Sequence, residues 1–169
     1  MSNKAELHLQ EALAAYDFGG EVTDAARYGC GHINDTFCVT TKPGKRYILQ
    51  RISSAAFAHP EQVMSNIAGV TDYLREKIGK EGGDPDRETL SILRTKSGDT
   101  SFTDGEGETW RVFPFIENTD CLQQADTPEL FEASALAFGS FQRMLSDYPA
   151  STLFETIPRF HDTVDRFAK

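Results

Sequence analysis

The sequence predicts an α+β chain: a five-stranded antiparallel sheet with one inserted helix, followed by the first helices of a second, helical region. Three observations carry that reading. The hydrophobic spacing changes from helical to β-like at Glu21, a proline-headed helix interrupts the strands after Ile52, and the chain turns helical beyond Glu117.

The elements follow in order. Between Ala5 and Tyr16, residues Leu7, Leu9, Ala12, Leu13 and Tyr16 recur at near-helical spacing, and Gly19 and Gly20 end that helix. Val22 to Tyr28 reads as a strand, and Gly29, Cys30, Gly31 and His32 form a glycine turn after it. Ile33 to Thr41 is rich in β-branched and aromatic residues, which suit a pleated, half-buried surface. Lys42 to Lys45 makes a short hairpin turn, and Arg46 to Ile52 is the third strand.

His59, Pro60 and Glu61 then open a helix, with Pro in the first turn and an acid where the helix dipole favours one. Val63, Ile67, Val70, Leu74 and Ile78 continue it to Gly79 and the turn-rich stretch ending at Pro85. Further strands are expected at Thr89 to Thr95, and in a hairpin from Ser101–Thr103 onto Thr109–Ile116. Pro114 marks the point where the last strand leaves the sheet. Thr127, Pro128 and Glu129 form a helix start signal, and Leu130, Phe131, Ala135, Phe138, Phe141 and Leu145 make one broad apolar face after it. Thr156 to Lys169 begins another amphipathic element.

Composition bounds the function classes. The 169 residues are 39% hydrophobic and 25% charged, so the chain can bury a core. Seventeen Lys and Arg against 26 Asp and Glu give a net charge of -9, which argues against nucleic-acid binding. A few local donors still suffice to hold a phosphorylated small ligand on an acidic protein. There is no run of apolar residues long enough to span a membrane, and the first residues lack the apolar core of a secretory signal. Cys30, Cys38 and Cys121 are an odd count without CxxC spacing, as expected of free thiols in a reducing cytoplasm.

Five strands with a helix inserted after the third is the layout of a kinase-type nucleotide-binding lobe. Gly29 and Gly31 lie between two strands, where a hairpin can close over phosphates and let backbone N–H groups approach them. The alternative is an ordinary glycine-rich turn. His32, Asn34 and Asp35 cluster just after it. A third-strand cation would meet the phosphates, and Gln50 and Arg51 compete for the place. Strand alternation puts Gln50 on the face of Ile48, whereas a guanidinium suits phosphate far better than an amide, so chemistry favours Arg51. Glu61 is the acid available to orient that cation, or it merely serves the helix dipole. Phe113, Pro114, Phe115 and Ile116 end the fifth strand where a hinge would offer backbone groups and apolar walls to adenine. Pro114 has no N–H, so the donor must be Phe115, Ile116 or a neighbour. His161, Asp162 and Asp165 match no acid–base or metal spacing and read as a solvated helix.

Six blocks, YGCGHINDTF, YILQRI, HPEQVMSNI, WRVFPFIEN, AFGSFQRML and ETIPRFHDT, together make the chain resemble the N-acetylhexosamine 1-kinases, within the aminoglycoside phosphotransferase and choline kinase superfamily. The resemblance extends from about Glu21 to Arg166. It implies a two-lobed kinase-like fold and an ATP- and Mg2+-dependent transfer of the γ-phosphoryl group to the anomeric hydroxyl of N-acetylglucosamine or N-acetylgalactosamine. It would place Gly29 and Gly31 over the phosphates and Pro114 to Ile116 at the adenine. His32 and Asp35 would reach the sugar.

The departures are as informative. Members of that family carry a catalytic loop with an Asp base and a downstream Asn, then an Asp that holds magnesium. Here the only histidine after Arg111 is His161, and neither motif is present. Gln50 also stands where related kinases have Lys or Arg. The chain therefore reads as a nucleotide lobe (residues 1–117) and the start of a substrate lobe (118–169), with no catalytic or metal-ligating residue of its own and inactive alone. Its uncovered apolar helix face should favour self-association. Two other readings stay open: a kinase of the same superfamily acting on choline, homoserine or an aminoglycoside, and a non-catalytic module that binds nucleotide or a partner.

Overall fold

The computed structural model describes residues 3–42, 44–122 and 124–168, and the side chains from residue 7 onward. Helix α1 (Asn3–Ala15) leads into strands β1 (Val22–Arg27), β2 (Asp35–Thr41) and β3 (Arg46–Arg51). Helices α2 (Pro60–Lys80) and α3 (Pro85–Glu88) follow, then β4 (Phe102–Thr103), β5 (Thr109–Pro114), α4 (Pro128–Met144) and α5 (Thr163–Phe167). The five strands form one antiparallel sheet in the order β1-β2-β3-β5-β4. This is the kinase-like α+β lobe that the element order predicts.

Strand alternation sorts the sheet into two faces. Phe37 and Val39 of β2, Leu49 of β3, and Trp110 and Val112 of β5 turn to one side and close a core with Leu9, Ala12 and Tyr16 of the α1 segment and with Phe18. Val39, Leu49 and Val112 are completely buried, so truncating any of them to Ala removes well-packed methyls at a cost of about 2–4 kcal/mol. Tyr16 sends its hydroxyl into the sheet, donating to the Trp110 carbonyl at 2.8 Å, and burial pushes its phenol far above the ordinary value. The opposite face of the sheet carries Ile48 and Gln50 of β3 and Arg111 and Phe113 of β5. It looks toward α2.

Helix α2 is where the second region docks. Asn66 clasps the main chain of Phe154, donating to its carbonyl at 2.8 Å and accepting from its N–H at 2.9 Å. Lys77 donates to Asp147 at 2.6 Å and to the Met144 carbonyl at 2.9 Å, and Tyr73 meets Tyr148 edge-on at 5.1 Å. Helix α4 begins as its signal predicts, with the Thr127 hydroxyl accepting from the Leu130 N–H at 3.3 Å. Its apolar face is uncovered among the described residues: Phe131 and Phe138 are 70% and 69% exposed.

Some elements differ from the sequence reading. Thr89 to Thr95 forms no strand and contributes only isolated bridges, Leu93 to Val112 and Tyr16 to Thr95. The free edge of β5 is shared, because β4 takes it at Thr109 and Trp110 and leaves room for one bridge at Val112. Strand β2 starts at Asp35 rather than Ile33, β5 ends at Pro114, and the last helix spans only Thr163–Phe167. Within the expected hairpin turn, Pro43 lies outside the described residues. The short α3 has no counterpart in the sequence reading; Asp84 caps it, accepting from the Asp86 N–H at 3.0 Å.

Candidate functional site

On the α2-facing side of the sheet, two rows of side chains cross three strands. Cys38, Ile48 and Phe113 are register partners and make an apolar row. One step along each strand, Thr36, Gln50 and Arg111 are register partners and make a polar row. Residues two apart on a strand are separated by about 6.6 Å, so the rows are distinct but adjacent. A cavity of about 430 Å³ opens over them, lined by Tyr28, Ile48, Gln50, Arg111, Phe113 and Phe115 among others. Tyr28 and Phe115 close one side of it, ring edge to face at 5.7 Å.

The hinge candidates lie at the rim of this cavity. The Phe115 N–H is committed to the Arg46 carbonyl at 3.1 Å, and Pro114 has none to give. Among the described residues no hydrogen bond occupies the Ile116 N–H, which leaves it as the donor of the segment. Arg46 braces this stretch from outside: its guanidinium lies 3.9 Å over the Phe115 ring, and it pairs with Glu117 through Nε at 2.9 Å. Hydrogen bonds from Arg46 hold the Glu117 carboxyl below the usual range.

The turn after β1 runs past Gly29 and Gly31. Gly29 sits at φ +78°, in the left-handed region that favours glycine. A Cβ at Gly31 would meet nothing within 4 Å, so that glycine leaves open space for close approach. Asn34 ties the end of the turn to the chain just after β3 by accepting from the Ser53 N–H at 3.0 Å. His32 is exposed beside it.

Three of the sequence candidates lie elsewhere. Arg51 is on the opposite side of the sheet from Gln50, and its Nε donates to Asp35 at 3.0 Å. Asp35 also accepts from Arg27 at 2.5 Å, so it is clamped between two guanidiniums. Burial pushes the Asp35 carboxyl up, but the hydrogen bonds from Arg51 and Arg27 outweigh this and hold it below its ordinary value. This cluster staples β1, β2 and β3 together, which is why neither Arg51 nor Asp35 is directed to the cavity. Glu61 is exposed and pairs with His59 at 3.1 Å; it serves the start of α2 and orients no strand cation.

Arg111 is what the sequence reading missed. Its Nε donates to Gln50 Oε1 at 3.1 Å, and its guanidinium lies 5.1 Å from the Phe113 ring centre. Gln50 in turn donates to Thr36 Oγ1 at 3.0 Å, so the polar row is one connected network. Burial lowers the Arg111 pKa from its ordinary value. Among the described residues no carboxylate pairs with it.

No metal set accompanies the cavity: among the described residues, no group of three or more His, Cys, Asp or Glu is placed to hold a metal ion. No described helix is long and apolar enough to cross a membrane.

Comparison with known proteins bears on the fold. No family model matches the chain. Among solved structures it is similar to an amicoumacin kinase in complex with AMP-PNP and Ca2+, at 14% identity and a TM-score of 0.58, covering 88% of this chain and 43% of that one. It is also similar to a spectinomycin phosphotransferase in complex with ADP and spectinomycin, at 14% identity and a TM-score of 0.51, covering 98% of this chain and 46% of that one. Likeness at such identity shows the fold, which is the kinase-like α+β fold of these two enzymes. The chain spans less than half the length of either.

Proposed function

We propose that this chain is the nucleotide-binding lobe (residues 1–117) and the start of the acceptor lobe (118–169) of an ATP-dependent phosphotransferase. One observation carries the reading: a single cavity joins an apolar row, a free hinge N–H and a polar row that contains an unneutralised guanidinium. A nucleoside triphosphate has that same sequence of needs. Ile48 and Phe113 would form the apolar floor under the base, and the Ile116 N–H would donate to it. Tyr28 and Phe115 would wall it, while Gly29 and Gly31 would bend the turn over the phosphates. The two solved kinases that share the fold were captured with AMP-PNP and with ADP, which supports nucleotide as the ligand.

For the acceptor we favour the anomeric hydroxyl of N-acetylglucosamine or N-acetylgalactosamine, on the six sequence blocks given above. His32, exposed beside the glycine turn, is the residue proposed to reach the sugar. The clamped Asp35 would act on it only by holding the turn in place. An aminoglycoside-type acceptor is the second reading, favoured by the spectinomycin bound in one of the two fold relatives and by the net charge of -9, which suits a cationic substrate. Catalytic base and metal would come from outside residues 1–169, and the protein would work in the cytoplasm.

The test is phosphoryl transfer by the intact protein from γ-labelled ATP with Mg2+, offered N-acetylglucosamine, N-acetylgalactosamine, choline, homoserine and spectinomycin in parallel. Label on the anomeric position of a hexosamine supports the first reading. Label on an amine-bearing acceptor alone moves the assignment to the second. ATP binding with no transfer to any of them leaves a non-catalytic nucleotide module.

A further inference from the structure

We propose that Arg111 is the phosphate-binding cation of this site, moved from the third strand to the fifth, with Gln50 as the residue that positions it. The inference rests on the nucleotide reading above and assigns the polyphosphate half of the ligand. Gln50 occupies the β3 position on the cavity side, and an amide cannot neutralise phosphate. Its direct register partner on β5 is Arg111, so the positive charge is displaced sideways by one strand spacing, about 4.8 Å, and stays on the same face.

The way Arg111 is held suits an anionic ligand. Elsewhere in the lobe, Arg27, Arg46, Arg51, Arg75 and Arg94 each pair with a carboxylate, and Arg87 donates to the Glu117 main-chain carbonyl at 2.8 Å. Arg111 is more buried than an ordinary surface arginine, and among the described residues it has only the Gln50 amide and the Phe113 ring as partners. A cation withdrawn from water without a counter-charge is costly, and a ligand that brings negative charge removes that cost. Among the described residues only Nε is engaged, so both terminal nitrogens remain for phosphate oxygens in the forked geometry that guanidinium offers. Gln50 is fixed at both ends, by Arg111 and by Thr36, which limits the directions the guanidinium can take. The apolar row beside it seats the base, and the polar row falls one step further along the strands, where the phosphates would begin.

The experiment is calorimetric titration of the intact protein with adenosine, ATP and inorganic tripolyphosphate, at low and moderate salt. The proteins compared are the wild type, Arg111→Met, Arg111→Lys and the double variant Gln50→Lys/Arg111→Met. The account expects Arg111→Met to lose about 10- to 100-fold in affinity for ATP and tripolyphosphate while adenosine affinity holds within about twofold. Arg111→Lys should retain most of the ATP affinity. The double variant, which returns a cation to the third strand, should recover a large part of it.

An equal loss for adenosine and ATP would make Arg111 a structural residue and overturn the proposal. So would unchanged ATP affinity in Arg111→Met, while adenosine binding in the same protein would leave the nucleotide reading standing. Tripolyphosphate binding that depends on Arg111, with no response to adenosine, would uphold the anion site and refute the nucleotide reading. A wild type that binds none of the three ligands would refute both.

Discussion

Gln50 Oε1 accepts from Arg111 Nε at 3.1 Å across the β3–β5 pair, and the same amide donates to Thr36 Oγ1 at 3.0 Å on β2. One side chain thus links three strands on the face that looks toward α2. Gln50→Lys should break this link and place two cations directly opposite each other. Opposed like charges on neighbouring strands cost roughly 0.2–1 kcal/mol, and the lost hydrogen bonds add about 1 kcal/mol. Thermal unfolding should show a lower Tm without ligand and a larger ATP-induced rise than in the wild type, because two cations now await phosphate.

Acid should weaken the protein in two places. Asp104 is buried, which pushes its carboxyl up, but hydrogen bonds from the Trp110 indole at 2.9 Å and from the Glu106 and Glu108 N–H groups prevail and hold it below its ordinary value. Asp147, hydrogen-bonded by Lys77, is held down at about 2. A depressed carboxyl contributes stability that is complete above its unfolded value near pH 4 and is lost as pH falls through the folded value. Denaturant midpoints should therefore hold steady above about pH 5 and drop between about pH 4 and 2. In Asp104→Asn the fall should be shallower and the neutral-pH stability lower by about 1–3 kcal/mol, since the replacement amide accepts fewer of those donors.

Gly20 carries a backbone constraint at the entry to β1. An added Cβ there would lie 2.2 Å from the Lys42 carbonyl oxygen, and the Lys42 N–H donates to the Glu21 carbonyl at 2.9 Å. The clash is with main chain, so β1 and β2 must separate to relieve it. Gly20→Ala should cost about 1–3 kcal/mol in equilibrium unfolding, whereas Gly31→Ala, with nothing within 4 Å, should leave stability nearly unchanged.

The exposed face of α4 should make the isolated 169-residue chain associate with itself. Phe131 and Phe138, which share one side of the helix, stand 70% and 69% exposed. Apolar patches of that kind mark contact surfaces. Light scattering should give a mass that rises with concentration, and Phe131→Ser/Phe138→Ser should return it toward the monomer value. A concentration-independent monomer in the unsubstituted chain would contradict this.

The sheet was legible in the sequence because its signals are local. Alternating β-branched and aromatic residues mark the strands, Gly29 marks the turn that needs a positive φ, and Pro60 and Pro128 mark helix starts. Arg111 was not legible for the opposite reason. It reads as one polar member of TWRVFP, and its partnership with Gln50 depends on the β3–β5 register, which is set across the whole of α2 and the chain around α3. The same gap hid the fate of Arg51. Alternation alone placed it away from Ile48 and Gln50, and the structure follows the alternation rather than the chemical preference for a guanidinium. Thr89–Thr95 carries β-favouring residues, yet no local signal shows that β4 already occupies the edge it would need.

The central claim is that nucleotide binds on the α2-facing side of the sheet. The most direct measurement is an amide and arginine side-chain NMR map of ATP binding to the intact, isotope-labelled protein. The account predicts shifts at the Ile116 and Gly29 amides and at Arg111 Nε, with the residues around Leu13 and Ala25 unmoved. Those two line a separate hollow of about 720 Å³ between α1 and β1. Shifts confined to that hollow, with Ile116, Gly29 and Arg111 silent, would contradict it.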